Sequence, residues 1–177
     1  MRFTIHIANL SSSGSDYDAI NKLMFAGDLV EVREHPVFGY GVFACKQIAC
    51  GSFILKFGGE VLTSLPDPYI DDHYTQIGAQ LFLGPSGHAD DYINHSCGPN
   101  TALVPDRLEL VALRDIALGE EITWDYSVYI PESDTWSIPC ACGSDNCRGE
   151  ISNWKRLPKE QQLFYRTRGL APQYVDT

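Results

Sequence analysis

At 177 residues the chain is long enough for one domain with a single sizeable core, and 44% apolar with 20% charged residues is the composition of a soluble globular protein. Its net charge of −10 is unevenly spread: 8 Lys and Arg stand against 20 Asp and Glu up to Gly149, and 5 against 3 from Glu150 onward. An acidic body argues against nucleic acid as a direct ligand, since phosphate binding needs a basic face, and it attracts a basic partner. Keeping the protein soluble is the blander use of the same charge.

Thr4, His6 and Asn9 interrupt the apolar character of the first ten residues, so they do not form the apolar core of a signal peptide. No run reaches transmembrane length, and the expected location is intracellular, nucleus or cytoplasm, with no membrane partner. Phe3 to Ile7 alternates like a short strand, Ser11 to Ser15 is a loop, and Asp16 is placed to cap a short helix through Met24.

From Leu29 the texture changes to short β-type runs: Leu29 to Arg33, Gly41 to Ala44, Ser52 to Phe57, Glu60 to Thr63, Gln80 to Leu83, Thr101 to Val104, Glu109 to Arg114 and Glu121 to Asp125. Glycines and prolines punctuate them. Many short strands with no long amphipathic helix between them predict a mostly β fold and exclude a parallel βαβ sheet with its usual nucleotide site. Pro66 to Ala79 is polar and reads as a loop with one helical turn. Ser152 to Leu157 reads as a turn of helix; a better helix follows over Lys159 to Arg168, started by Pro158 and stopped by Gly169, with Leu163 and Phe164 facing inward.

Three stretches carry chemistry. Asp91 to Asn100 (Asp-Tyr-Ile-Asn-His-Ser-Cys-Gly-Pro-Asn) packs Asn94, His95 and Cys97 into one turn-forming segment, suited to a polar ligand and a soft metal. Cys140, Cys142 and Cys147, spaced Cys-x-Cys-x4-Cys, offer three thiolates on a tight turn, and a closed structural zinc site wants a fourth. Without a secretory signal, clustered cysteines point to a metal before a disulfide framework, with disulfide or free thiol as the alternative. Cys45 and Cys50 receive no role. The third stretch is Gly-Glu-Glu-Ile-Thr-Trp-Asp-Tyr, Gly119 to Tyr126, and upstream lies Gly39-Tyr40-Gly41, by itself only a tight turn.

In this order the stretches resemble the SET domain with its cysteine-rich post-SET tail, a family of protein-lysine methyltransferases, over about Leu29 to Gly149. The resemblance implies a SET fold of small curved sheets with a threaded, knot-like C-terminal segment. It divides the chain into an N-terminal extension (1–28), SET domain (29–130), post-SET zinc segment (131–149) and C-terminal helical tail (150–177). It further implies S-adenosylmethionine as cofactor, walled by Phe38, Gly39 and Tyr40 and contacted by Asn94 and His95, and one structural zinc held by Cys97, Cys140, Cys142 and Cys147. Tyr126 would stand beside the transferred methyl group and Trp124 would line the substrate channel. The implied substrate is a basic protein or peptide, with a histone as one candidate.

Two positions depart from the family pattern. Trp124 stands where Phe or Tyr is usual, and its bulk favours monomethylation or a differently shaped substrate. Asp91 stands where arginine is common. A SET-like binding module without turnover, or an enzyme with a non-histone or small-molecule substrate, is the alternative reading.

Overall fold

The computed structural model describes residues 28–65 and 73–176. The strand and helix expected between Phe3 and Met24 lie outside these residues. Among the described residues the architecture is mostly β, with twelve short strands and one short α-helix. In chain order they are β1 (Val30–His35), β2 (Gly39–Ala44), β3 (Phe53–Lys56), β4 (Val61–Leu62), β5 (Thr75–Gly78), β6 (Leu81–Leu83), β7 (Asn94–His95), β8 (Thr101–Val104), β9 (Glu109–Ala112), β10 (Glu121–Trp124), β11 (Ile138–Pro139), β12 (Glu150–Ile151) and α1 (Lys159–Thr167).

The strands form small sheets in the orders β1-β2-β10-β7, β3-β9-β8, β4-β6-β5 and β11-β12. Period-two alternation sets the core: Val30 and Val32 from β1, Val42 and Ala44 from β2, and Ile122 and Trp124 from β10 all point inward and are buried. Leu103, Leu110 and Ala112 extend this core from the β8–β9 hairpin. β10 decides the position of the site. It pairs antiparallel with β2 and parallel with β7, Thr123 facing Asn94 and Trp124 facing His95, so residues far apart in sequence share one sheet.

Asn100 locks this arrangement. Its buried amide donates to the Glu121 carbonyl at 2.7 Å and accepts the Thr123 N–H at 2.9 Å, continuing the edge of β10 as a backbone would. Thr101 Oγ1 donates to the Thr123 carbonyl at 2.8 Å. The segment that carries Asn94 and Cys97 is therefore tied to β10 at both ends.

The structure corrects three expectations. The loop read over Pro66 to Ala79 contains strand β5, which its polar residues hide; pairing with β6, with an irregular register at Gln76 and Gly78, supplies the order that local propensity lacks. The first strand of the glycine motif begins at Gly39, since the hairpin runs on to His35 opposite Gly39. In α1, Leu163 is 63% exposed, whereas Gln162 and Tyr165 are buried and Phe164 is half-buried against the core. Gln162 goes inward because Nε2 finds the carbonyls of Trp154 (3.2 Å) and Leu157 (2.8 Å), which satisfies a buried polar group.

Candidate active site and thiol cluster

The β1–β2 turn borders an open cleft of about 430 Å³ lined by Glu34, His35, Pro36, Gly39 and Tyr40. Gly39 has φ +84°, a left-handed conformation that glycine adopts without strain, and a Cβ there would meet nothing within 4 Å among the described residues. Gly41 is needed for a different reason. A Cβ would come within 2.7 Å of Glu121 Oε1 and 3.1 Å of Asn94 Nδ2, so the missing side chain makes room for a neighbouring polar pair. Phe38 stacks on His35 with ring centroids 4.7 Å apart, and the N–H groups of Val37 and Phe38 both donate to His35 Nδ1 at 3.1 Å.

Asn94 Nδ2 donates to the Tyr40 carbonyl at 2.8 Å and to Glu121 Oε1 at 2.7 Å. Both hydrogens of its amide are thus used internally, and its carbonyl oxygen is the group left to accept from a ligand. His35 Nε2 lies 3.5 Å from the second oxygen of Glu121. Motif reading assigned no role to His35 or Glu121, because their partnership exists only across the β1-β2-β10 sheet.

His95 is buried, and burial lowers its pKa to about 4 despite the Asp125 carboxylate beside it. Its Nδ1 accepts the Tyr126 N–H at 3.2 Å, and its Nε2 lies 3.3 Å from Cys97 Sγ. A neutral imidazole with an accepting Nδ1 carries its proton on Nε2. The nitrogen facing the sulfurs is therefore a donor. With both ring nitrogens occupied, any contact of this residue with a cofactor falls to its backbone.

Tyr126 donates its hydroxyl to the Ile93 carbonyl at 2.8 Å. Burial, with the Glu121 charge adding to it, raises its pKa well above the ordinary phenol value, so it stays protonated. Trp124 is buried among Phe57, Tyr126 and Tyr129, each 5.3 Å away between ring centroids. Asp91 takes no part in this. Its carboxylate accepts the Ser86 N–H at 3.0 Å and the Gly87 N–H at 2.7 Å, and so braces the preceding loop.

Cys97, Cys140 and Cys142 converge with His95 so that one ligating atom from each lies within 4.8 Å of all the others. Cys97 Sγ and Cys140 Sγ are 3.8 Å apart. Zn–S bonds of about 2.3 Å in a tetrahedron require an edge of ~3.8 Å, so this pair fits zinc. Cys147 is exposed, 3.7 Å from the Cys140 carbonyl, and its thiol contacts those of Cys140 and Cys142. A protonated His95 Nε2 does not ligate a metal as it stands, and the Cys147 thiol, outside the four converging atoms but in contact with Cys140 and Cys142, is the alternative fourth donor. Burial raises the Cys97 thiol pKa to about 11. At Cys142 burial acts in the same direction, but the Cys97 and Ser144 N–H groups and neighbouring thiols outweigh it and bring the value to about 7. Gly98 lets the two segments meet, since a Cβ there would reach Ser144 Oγ at 2.5 Å.

Asp125 and Arg148 also went unassigned by motif reading. They form a buried ion pair between the end of β10 and the Cys-Arg-Gly tail, at 2.7 and 2.8 Å.

The SET-domain family model matches residues 39–127. Histone-lysine N-methyltransferase set-2 of Caenorhabditis elegans is 28% identical over 164 residues, 82% of this chain and 11% of that protein. Histone-lysine N-methyltransferase trithorax of Drosophila virilis is 33% identical over 138 residues, 68% of this chain and 4% of that protein. The chain thus spans a small fraction of the length of these relatives. A solved structure of KRYPTONITE in complex with mCHH DNA, an H3(1-15) peptide and SAH superposes with a TM-score of 0.53 at 26% identity, covering 69% of this chain and 29% of that one. On the family match across half its residues and the mostly β fold with small sheets, this chain belongs to the SET-domain family.

Proposed function

We propose that this chain is an S-adenosylmethionine-dependent protein-lysine N-methyltransferase acting on a basic protein segment, with a histone tail as the first candidate. The observation that carries the reading is the parallel pairing of Asn94–His95 with Thr123–Trp124, which puts the Asn94 amide, the Gly39–Tyr40 turn and the Tyr126 hydroxyl around contiguous strands. The relatives named as histone-lysine methyltransferases and the neighbour holding SAH and an H3 peptide support the same assignment. The division into a SET domain at 29–130 and a zinc segment at 131–149 belongs to this reading.

Bound S-adenosylmethionine would supply an electrophilic methyl group on a sulfonium. Phe38, Gly39 and Tyr40 would wall it, and the Asn94 carbonyl oxygen would accept from its ammonium. Methyl transfer needs a neutral amine, and deprotonating lysine at pH 7.5 costs about 4 kcal/mol in water. The buried aromatic wall of Trp124, Phe57 and Tyr129 lowers that cost by disfavouring the ammonium form. The Tyr126 hydroxyl donates its hydrogen bond to the Ile93 carbonyl, so the lone pairs of its oxygen remain to orient the amine and the polarised methyl group. A structural zinc on Cys97, Cys140, Cys142 and Cys147, with no open position, would staple the tail to the central stretch.

The acidic body favours a basic peptide over nucleic acid as the direct ligand. No helix among the described residues is long and apolar enough to cross a membrane. A histone substrate implies action in the nucleus.

The test is incubation of zinc-loaded protein with methyl-labelled S-adenosylmethionine and a panel of histones, beside Tyr126→Phe. Label on protein that drops at least 100-fold in the variant is expected. Cofactor binding without transfer to any protein would overturn the enzymatic reading in favour of a binding module.

A further inference from the structure

Arg148 sits next to a predicted zinc ligand, yet its side chain turns away from the sulfurs. The guanidinium grips Asp125 with two bonds, Nη1 to Oδ2 at 2.8 Å and Nη2 to Oδ1 at 2.7 Å, and reaches Ser127 Oγ at 3.1 Å and Gln161 Oε1 at 3.3 Å. The Arg148 and Asp125 side chains are 13% and 1% exposed. Asp125 in turn accepts the Ser127 N–H at 3.1 Å, which starts the single 3-10 turn Tyr126–Val128. Its Oδ1 also lies 3.5 Å from His95 Nδ1, the atom that accepts the Tyr126 N–H. Both chain neighbours of Tyr126 are thus held through one guanidinium, and the carboxylate it orients lies beside His95, the acceptor of the Tyr126 N–H, without a hydrogen bond to it. The Arg148 backbone N–H meanwhile donates to Cys97 Sγ at 3.4 Å, so the same residue is anchored in the thiol cluster.

We propose that Arg148 is a positioning residue for methyl transfer: through Asp125 it sets the placement of Tyr126 and couples that placement to the folded post-SET tail. The inference rests on the reading of Tyr126 as the residue beside the transferred methyl group. A planar fork fixes the direction of a carboxylate; an ammonium supplies the charge without the direction. Displacement of a reacting group by about 1 Å costs on the order of 100-fold in rate.

The test is Arg148→Lys in the zinc-loaded full chain, with kcat, KM for a histone peptide, cofactor Kd and zinc content all measured. The expected result is kcat lower by roughly 10- to 100-fold, with KM and Kd within about 2-fold and zinc content equal to that of the unaltered protein. Asp125→Asn combined with Arg148→Lys is expected to be no slower than the worse single variant, since both changes break one contact. Unchanged kcat, a loss confined to KM or zinc content, or multiplicative effects in the double variant would overturn the proposal. If Arg148→Lys fails to melt cooperatively, the charge-free pair Asp125→Asn/Arg148→Gln replaces it, with the same kcat loss expected and unchanged kcat again decisive against. Tyr126→Phe in the same assay separates the two readings: its retention of full activity sinks the Tyr126 assignment, whereas its loss beside a fully active Arg148→Lys sinks only this one.

Discussion

Asn94 and Glu121, 27 positions apart in sequence, meet with Nδ2 2.7 Å from Oε1, directly over the space where Gly41 lacks a side chain. Together with the Asn94 bond to the Tyr40 carbonyl, the pair links the glycine turn, the central stretch and β10 through two hydrogen bonds. Gly41→Ala would drive a Cβ into the Glu121 carboxylate. We expect a loss of about 1–3 kcal/mol of stability and a drop of roughly tenfold or more in S-adenosylmethionine affinity, about 1.4 kcal/mol. Gly39→Ala, strained in its backbone but sterically free, should cost about 1–2 kcal/mol without that steric clash. Calorimetric titration and thermal melts of both variants separate strain from collision.

The ligand set of the thiol cluster is decided by comparing Cys147→Ser with His95→Gln. With the proton of His95 on Nε2, His95→Gln is expected to keep one zinc per chain while methyl transfer falls, and Cys147→Ser to lose the metal. Zinc retained in Cys147→Ser and lost in His95→Gln would reverse the assignment. Stripping the metal with a chelator should lower the melting temperature of the unaltered chain.

Trp124 fills the position beside Tyr126 and packs on Phe57 and Tyr129. We expect monomethyl-lysine as the main product. Trp124→Phe opens space, so di- and trimethylated peptide should rise in mass spectra, at a cost of about 1–2 kcal/mol in stability. Unaltered product distribution would mean that Trp124 does not bound the channel.

Glu120 carries the acid dependence we expect in stability. Its hydrogen bond from Arg114 at 2.6 Å, aided by the Ala117 N–H and the Asn100 amide and opposed by burial, lowers its pKa from 4.5 to about 2. A depressed carboxylate stabilises the fold above pH ~4.5 and ceases to do so as pH falls toward 2. Solvent screening of a partly exposed pair limits the contribution to about 1 kcal/mol. Urea midpoints of the unaltered chain and Glu120→Gln should therefore differ steadily from pH 7 to about 4.5 and converge below it. Parallel curves throughout would refute the linkage.

The β character of the chain, most of its strands and the motif residues were legible in sequence, because alternation and glycine–proline punctuation are local signals. β5 was not, because Gln76 and Gly78 have no strand preference of their own and take their order from β6. The inward face of α1 was misread for a related reason: Leu163 is apolar and exposed, while Gln162 is polar and buried because three nearby carbonyls accept its amide.

By itself the sequence determined the inventory of this protein: the family, the cysteine spacing, the Asn-His-Ser-Cys and Trp-Asp-Tyr segments, and the acidic body that suits a basic substrate. Those properties reside in residue identity and short spacing. Only the tertiary structure decided how the inventory is wired. The parallel register of β7 on β10 brings His95 to the Tyr126 backbone, that contact turns the other ring nitrogen of His95 toward Cys97, and Arg148 reaches Asp125 across 23 positions. Such contacts depend on directional hydrogen bonds between segments distant in the chain. No local propensity encodes their direction, and they become fixed when the sheet closes.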